Sequence, residues 1–232
     1  MKSHTLKAFT LVELLVVLAV MGLMMGVIGF SLLGGGGAEL GASQRELVAM
    51  LQKARTKAAL AGSATRLIIN NDPEDLEKFH RYMEIVIEDT NESEQWIVEG
   101  EGKFLADGIY FVPQMKSQSD RNEDWSNDAF TRWSHNEGED FQLNDSFRGI
   151  RKEEQGTSFC YLEFDGSGNL VCPSVNSSST PTPPLLVIAN GSPNPQDPNA
   201  PLRFDDPNSI AGILMRRFGG FAILEKTDFD PP

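Results

Sequence analysis

The chain has 232 residues and a formal net charge of −13, with 33 acidic against 20 basic side chains. An acidic surface repels phosphate backbones, so direct nucleic-acid contact is disfavoured, and residues 39–232 are enough for one domain with its own core. Two cysteines and three histidines, scattered along the chain, supply no recognisable zinc motif, and no cofactor or metal is expected.

In chain order, the first element is Phe9–Leu33, a run of 25 residues that carries one charge, Glu13. Glu13 is also the only charge between Lys7 and Glu39. As a helix rising ~1.5 Å per residue the run spans about 38 Å, more than the ~30 Å of a bilayer core. Lys2 and Lys7 precede it with no acid among them, which predicts a cytoplasmic N-terminus and everything from Glu39 onward outside. A secretory signal peptide and a plain membrane anchor are the competing readings. Gly36-Gly37-Ala38 offers a small-x-small cleavage site, but the apolar region of a signal peptide is about 7–15 residues, shorter than this one. Thr10 and Glu13 have capping-box spacing, and an acid suits a first helical turn. Phe9, Leu11 and Val12 precede Glu13, however, so the carboxylate lies at or inside the membrane boundary. Ionised groups there cost several kcal/mol, of order 3 kcal/mol or more, unless they find a partner.

The stretch KAFTLVELLVVLAVMGL, residues 7–23, resembles the N-terminus of type IV prepilins and type II secretion pseudopilins. The resemblance implies that a prepilin peptidase cuts between Ala8 and Phe9 on the cytoplasmic side and that the new Phe9 amine is methylated. It also implies that Glu13, fifth in the mature chain, pairs with the Phe9 amine of a neighbouring subunit during assembly. Where the family usually has Gly before the cut, this chain has Ala8. A buried carboxylate is tolerable when a cation neutralises it, and cleavage creates such a cation where the precursor had none. Gly22 and Gly26, with Gly29 close on the same face, permit close helix contact, although membrane helices carry more glycine in general.

Gly34–Gly37 predicts a break or linker, since each glycine costs about 1 kcal/mol relative to Ala in a helix. Helical periodicity resumes at Glu39, with Leu47, Leu51, Ala54, Ala58 and Ala61 on one stripe and Gly62 as the stop. Strands are predicted at 66–70, 82–88, 95–99, 109–112, 158–164, 170–172, 185–189 and 220–225, with turn chemistry between several of them. This is an α+β chain: a long N-terminal membrane-spanning helix continuing into an amphipathic helix packed on an antiparallel, mostly sequential β-sheet head. The expected divisions are a leader at 1–8, an assembly helix at 9–33, a glycine hinge at 34–38, an amphipathic helix at 39–62 and a head at 63–232. Within the head, 114–157 and 173–184 read as inserts. The helix followed by strands, LADGIYFV and then CYLEFDGSGNL is most similar to minor pseudopilins of the H type, which implies a β-sandwich-like head.

The first insert is polar and acidic yet holds Trp125, Phe130, Trp133, Phe141 and Phe147, more aromatics than disordered segments carry. Trp125, Ala129 and Trp133 would share a face of a short helix, closing over the sheet edge as extra core or forming a partner contact. The second, PSVNSSSTPTPP, reads as an extended loop. Cys160 and Cys172 flank DGSGN; a hairpin there would set the sulfurs roughly opposite, which predicts a disulfide in an oxidising compartment or, in a reducing one, two unpaired buried thiols. Asp165, Ser167 and Asn169 alternate as at the start of a calcium loop, but the closing Glu is missing and a hairpin turn explains them. No nucleophile-elbow, zinc-protease or phosphate-loop spacing occurs, so no enzymatic activity is expected.

The resemblance therefore implies a structural subunit of the inner membrane, single-pass, with its head in the periplasm. Its partners would be the prepilin peptidase, other pilins or pseudopilins in a filament, and the inner-membrane assembly machinery. A minor pseudopilin of a type II secretion-like system is the first reading. The alternatives are a minor type IV pilin for adhesion or DNA uptake, and an anchored envelope binding protein that does not polymerise.

Overall fold

The computed structural model describes residues 37–91, 95–114, 122–136, 138–142, 147–148, 156–172, 182–216, 218 and 220–231. The expected leader, the apolar run Phe9–Leu33 and much of both inserts lie outside them. The chain divides into two units, Met1–Ala38 and Glu39–Pro232, and the description concerns the second. Among the described residues no helix is long and apolar enough to cross a membrane.

Helix α1 runs through residues 39–61; residues 37 and 38, assigned by sequence to the hinge, are helical as well. Leu47, Leu51, Ala54 and Ala58 are fully buried, and Leu40 and Met50 nearly so, which is the apolar stripe expected from the 3.6-residue period. Ala61, placed on the same stripe by spacing, is exposed, because the helix ends there and turns away. Gly62 closes it with φ +66°, its amide donating to the Ala58 carbonyl at 2.9 Å.

The strands form two main sheets and a small ribbon. They are β1 (Thr65–Asn70), β2 (Tyr82–Glu88), β3 (Trp96–Val98), β4 (Lys103–Phe104), β5 (Ile109–Phe111), β6 (Phe141–Gln142) and β7 (Phe147–Arg148). There follow β8 (Ser158–Phe164), β9 (Leu185–Asn190), β10 (Ser192–Pro193), β11 (Leu202–Arg203), β12 (Ile210–Met215) and β13 (Phe221–Leu224). The first sheet has the order β6-β8-β1-β2-β3-β7, with β4 also pairing β2; the second has β13-β12-β9-β5. All pairs are antiparallel except β3–β7.

The strand order corrects the sequential arrangement expected from sequence. β8, far along the chain, returns beside β1 with Thr65 opposite Phe164, and the later strands build a second sheet. Strand β12 was not foreseen, because Gly212 interrupts its apolar pattern. The glycine has a packing reason: a Cβ there would come within 2.7 Å of Phe229 Cζ and 3.0 Å of the Leu186 carbonyl oxygen. The expected strand 170–172 is reduced to a single bridge, Phe164 with Leu170.

Alternation along each strand sorts side chains to two faces. Leu67 and Ile69 of β1, Leu162 and Phe164 of β8, Leu186 and Ile188 of β9, and Ile213 and Met215 of β12 join the α1 stripe in one cluster. The helix is therefore packed against both sheets. Hydrogen bonds repeat that bridging: Gln44 Nε2 donates to the Gly212 carbonyl at 3.1 Å, Arg55 Nε to the Gly168 carbonyl at 3.2 Å, and the Ala106 amide to Ser43 Oγ at 2.9 Å. Leu185, Val187 and Ala189 face the other side of the second sheet, where Trp125, Ala129, Phe204 and Phe229 cover them.

The first insert thus adds to the core, but over a sheet face rather than an edge. The short helix expected through Trp125, Ala129 and Trp133 is absent among the described residues, which form successive turns. Trp125 and Trp133 join different clusters. The reason is an isolated bridge between Arg132 and Leu185, which draws the chain out beside β9.

His80 is a joint between the sheets. It is buried at φ +52°, its amide donates to the Asn70 carbonyl at 2.9 Å, and its own carbonyl accepts from the Phe111 amide at 2.8 Å. Its Nδ1 lies 3.2 Å from the Phe111 carbonyl oxygen. Burial lowers its pKa from 6.5 to about 4, against smaller raising effects of that carbonyl and of Asp140.

Two stability measurements follow from this packing. Gly212→Ala is expected to cost about 1–3 kcal/mol by crowding Phe229 and the β9 backbone, read as a lower denaturant midpoint in detergent. For His80 the unfolded chain binds a proton below pH 6.5 and the native ring does not until about 4, so the unfolded state holds more protons across that window. The contribution of this residue should be constant above pH 6.5, fall by about 3 kcal/mol as the pH drops toward 4, and then level. His80→Asn, which tolerates the left-handed backbone, should flatten that part of the stability–pH curve; an unchanged slope would exclude His80 as its source.

Candidate functional site

Ala8, Phe9, Glu13, Gly22 and Gly26 lie outside the described residues. Cys160 and Cys172 are within them and are not bonded to each other. The expected hairpin is present: the Asp165 amide donates to the Asn169 carbonyl at 2.8 Å, and the Ser167 and Asn169 amides donate to Asp165 Oδ1 at 2.8 and 2.9 Å. Its register is what separates the sulfurs. Phe164 pairs with Leu170, which centres the hairpin on Ser167 and sets Cys172 opposite Leu162, one pair away from Cys160 along the same face. The two thiols stand unjoined in this structure. The carboxylate of Asp165, considered for calcium, is occupied by the turn's own amides.

A cavity of about 770 Å³ in the head is lined by Asn71, His80, Trp133, His135, Asp140 and Cys160 among others. It forms where the first insert crosses from one sheet to the other. The Arg132 amide donates to the Leu185 carbonyl of β9 at 2.7 Å, and two residues later the Ser134 amide donates to the Tyr161 carbonyl of β8 at 3.0 Å. Ser134 Oγ accepts from the Glu163 amide at 3.1 Å. The chain then enters β6, whose Phe141 pairs with Phe159. His135 and Asp140 are held over β8 by this path, beside Cys160.

A ring nitrogen of His135, a carboxylate oxygen of Asp140 and the Cys160 sulfur lie within 4.8 Å of one another. Asp140 Oδ1 is 3.9 Å from His135 Nδ1 and 4.0 Å from Cys160 Sγ. His135 Nδ1 donates to the Asn136 carbonyl at 2.9 Å, while Nε2 is shut off from solvent and has no hydrogen-bond partner among the described residues. The ring stacks on Tyr161 at 4.4 Å between centroids and 22° between planes. Tyr161 also carries the Arg66 guanidinium, 4.2 Å from its ring centre, and Arg66 Nε donates to Glu163 Oε2 at 2.6 Å.

Asp140 Oδ2 accepts from Ser158 Oγ at 2.9 Å and from Asn71 Nδ2 at 2.9 Å. Asn71 Oδ1 in turn lies 2.8 Å from His80 Nε2. A neutral imidazole has one proton to donate, and His80 faces two carbonyl-type oxygens, those of Phe111 and Asn71. Turning the Asn71 amide over satisfies His80 but sets Oδ1 against Asp140 Oδ2. With a neutral imidazole and an ionised carboxylate, any tautomer and either amide orientation leave one acceptor facing another, so the chain His80–Asn71–Asp140 lacks one hydrogen-bond donor among the described residues.

Burial lowers the pKa of His135, against raising effects of the Asn136 carbonyl, Asp140 and Glu139. Burial and then Asp140 push the Cys160 thiol well above its usual value. At neutral pH Cys160 is a protonated thiol, not an activated nucleophile. Sequence reading passed over His135 and Asp140, which sit in an acidic insert, SHNEGED, with no ligand spacing to mark them.

No family model matches this chain, and no curated protein does. Among solved structures it is similar to two of the minor pseudopilin EpsH from the type 2 secretion system of Vibrio cholerae, each at 14% identity over 81% of this chain. One match covers 97% of that chain with a TM-score of 0.37, the other 94% with a TM-score of 0.38.

Proposed function

We propose that this protein is a prepilin-like structural subunit, a minor pseudopilin that joins a periplasmic filament of a type II secretion-like system. The observation that carries this reading is Glu13, the single charge of a 25-residue apolar run and the fifth residue from Phe9. An acid in that place is costly for a simple anchor and useful to a subunit that must recognise a neighbour's new N-terminus. The first residues of the head agree with the reading, since α1 lays an apolar stripe of Leu47, Leu51, Ala54 and Ala58 on antiparallel strands. The acidic balance of the chain disfavours a filament whose task is direct DNA contact.

In this reading the precursor waits in the inner membrane with Lys2 and Lys7 in the cytoplasm. The prepilin peptidase removes residues 1–8 and the Phe9 amine is methylated. The Phe9 ammonium of one subunit then neutralises Glu13 of the next, and Phe9–Leu33 supplies the packing surface, with Gly22 and Gly26 allowing close approach. The inner-membrane assembly machinery and other pseudopilins are the partners.

Mass analysis of the N-terminal peptide from native membranes tests processing. A peptide beginning at methylated Phe9 is expected; one beginning at Met1 or Glu39 would mean an uncleaved anchor or a removed signal. Glu13→Ala tests assembly. The variant should insert and be cut normally but lose subunit–subunit crosslinks through the apolar helix, whereas unchanged crosslinking would remove the role given to Glu13.

A further inference from the structure

We propose that His135, Asp140 and Cys160 form a binding site for a divalent transition-metal ion of the zinc class. The site clips the insert to β8. It is independent of filament assembly and of the N-terminal reading.

Two separate observations point to a cation there. The first is convergence: three donors of different chemistry, imidazole, carboxylate and thiol, lie within 4.8 Å of one another on the wall of a 770 Å³ cavity. Tetrahedral bonds of about 2.0–2.3 Å would place them roughly 3.3–3.8 Å apart. A contraction of roughly 1 Å is needed, and His135 and Asp140 stand on irregular chain that can supply it. The second is an unmet acceptor. His135 has a side chain only 3% exposed; Nδ1, the ring nitrogen 3.9 Å from Asp140 Oδ1, gives its proton to Asn136, and the buried Nε2 then holds a lone pair that no donor among the described residues meets.

The donor set selects the ion. Oxygen-only sites suit calcium or magnesium, whereas nitrogen and sulfur beside one carboxylate suit zinc and its neighbours. Binding breaks the Cys160 S–H bond, forms a sulfur–metal bond and releases the proton to solvent, with no change of oxidation state. Three protein donors leave a fourth position for water. The surroundings are those of a supported site: Ser158 and Asn71 hydrogen-bond the carboxylate, the Asn136 carbonyl holds Nδ1–H, and Tyr161 stacks on the imidazole.

The experiment uses the full chain in detergent, stripped with a chelator and titrated with Co²⁺ and then Zn²⁺. Co²⁺ is expected to saturate with one thiolate-to-cobalt charge-transfer absorption, which Zn²⁺ removes while raising the thermal midpoint. Cys160→Ser should abolish the absorption, His135→Gln and Asp140→Asn should weaken Co²⁺ binding by about tenfold or more, and Cys172→Ser should leave it unchanged. Absence of the absorption in the wild type, or its survival in Cys160→Ser, would overturn the proposal. Alkylation of the wild type keeps the test valid if Cys160→Ser fails to fold. Zn²⁺ should protect Cys160 and not Cys172, and equal labelling of Cys160 with and without Zn²⁺ would count against the site.

Discussion

The head depends on one helix filling a space that two sheets share. Leu47, Leu51, Ala54 and Ala58 are fully buried, and their neighbours come from β1 and β2 on one side and from β5, β9 and β12 on the other. Hydrophobic burial is non-directional and scales with area, so such a stripe holds both sheets without specifying how they meet. Orientation comes from polar groups around it. Gln44 reaches the backbone of β12, Arg55 the hairpin after β8, and Ser43 the turn before β5. Ala54 and Ala58 matter for their size, since a short side chain lets the helix backbone approach the strands.

A second set of contacts ties the sheets directly. His80 lies between the end of β1 and β5, in a backbone conformation uncommon for a residue with a side chain, and bonds to both. The insert crosses the same gap in the opposite sense, leaving β9 at Arg132 and reaching β8 at Ser134. Polar side chains from both crossings, Asn71, His80, His135 and Asp140, are brought to one cavity. A polar network in a low dielectric stabilises strongly when complete and is costly when a donor is missing.

The two ends of the molecule raise the same electrostatic problem in different settings. Glu13 is the single charge of an apolar run, where an ionised group is costly unless it finds a partner. Asp140 stands partly buried on a cavity wall, where neutral donors occupy one oxygen and the other faces a thiol and an imidazole.

Local periodicity carried the sequence reading as far as it went. Tyr82–Glu88 and Ser158–Phe164 have the bounds expected from their alternation, and the stripe from Leu47 to Ala58 is buried as its spacing requires. These patterns are visible because a strand or helix repeats within a few residues. The N-terminal run and its single acid are also properties of sequence alone, since length and charge decide whether a segment can enter a bilayer. Pairing between distant segments decided the rest. Strand β12 was hidden by Gly212, whose need is a ring from Phe229 and a carbonyl from β9. Cys160 and Cys172 are held one pair out of step by a register that Phe164 and Leu170 set. His135, Asp140 and Cys160 share no spacing, and only the return of β8 beside β1 and the crossing of the insert bring them together. Such contacts depend on which strand lies next to which, and that choice is made by the free energy of the whole core rather than by any short stretch of chain.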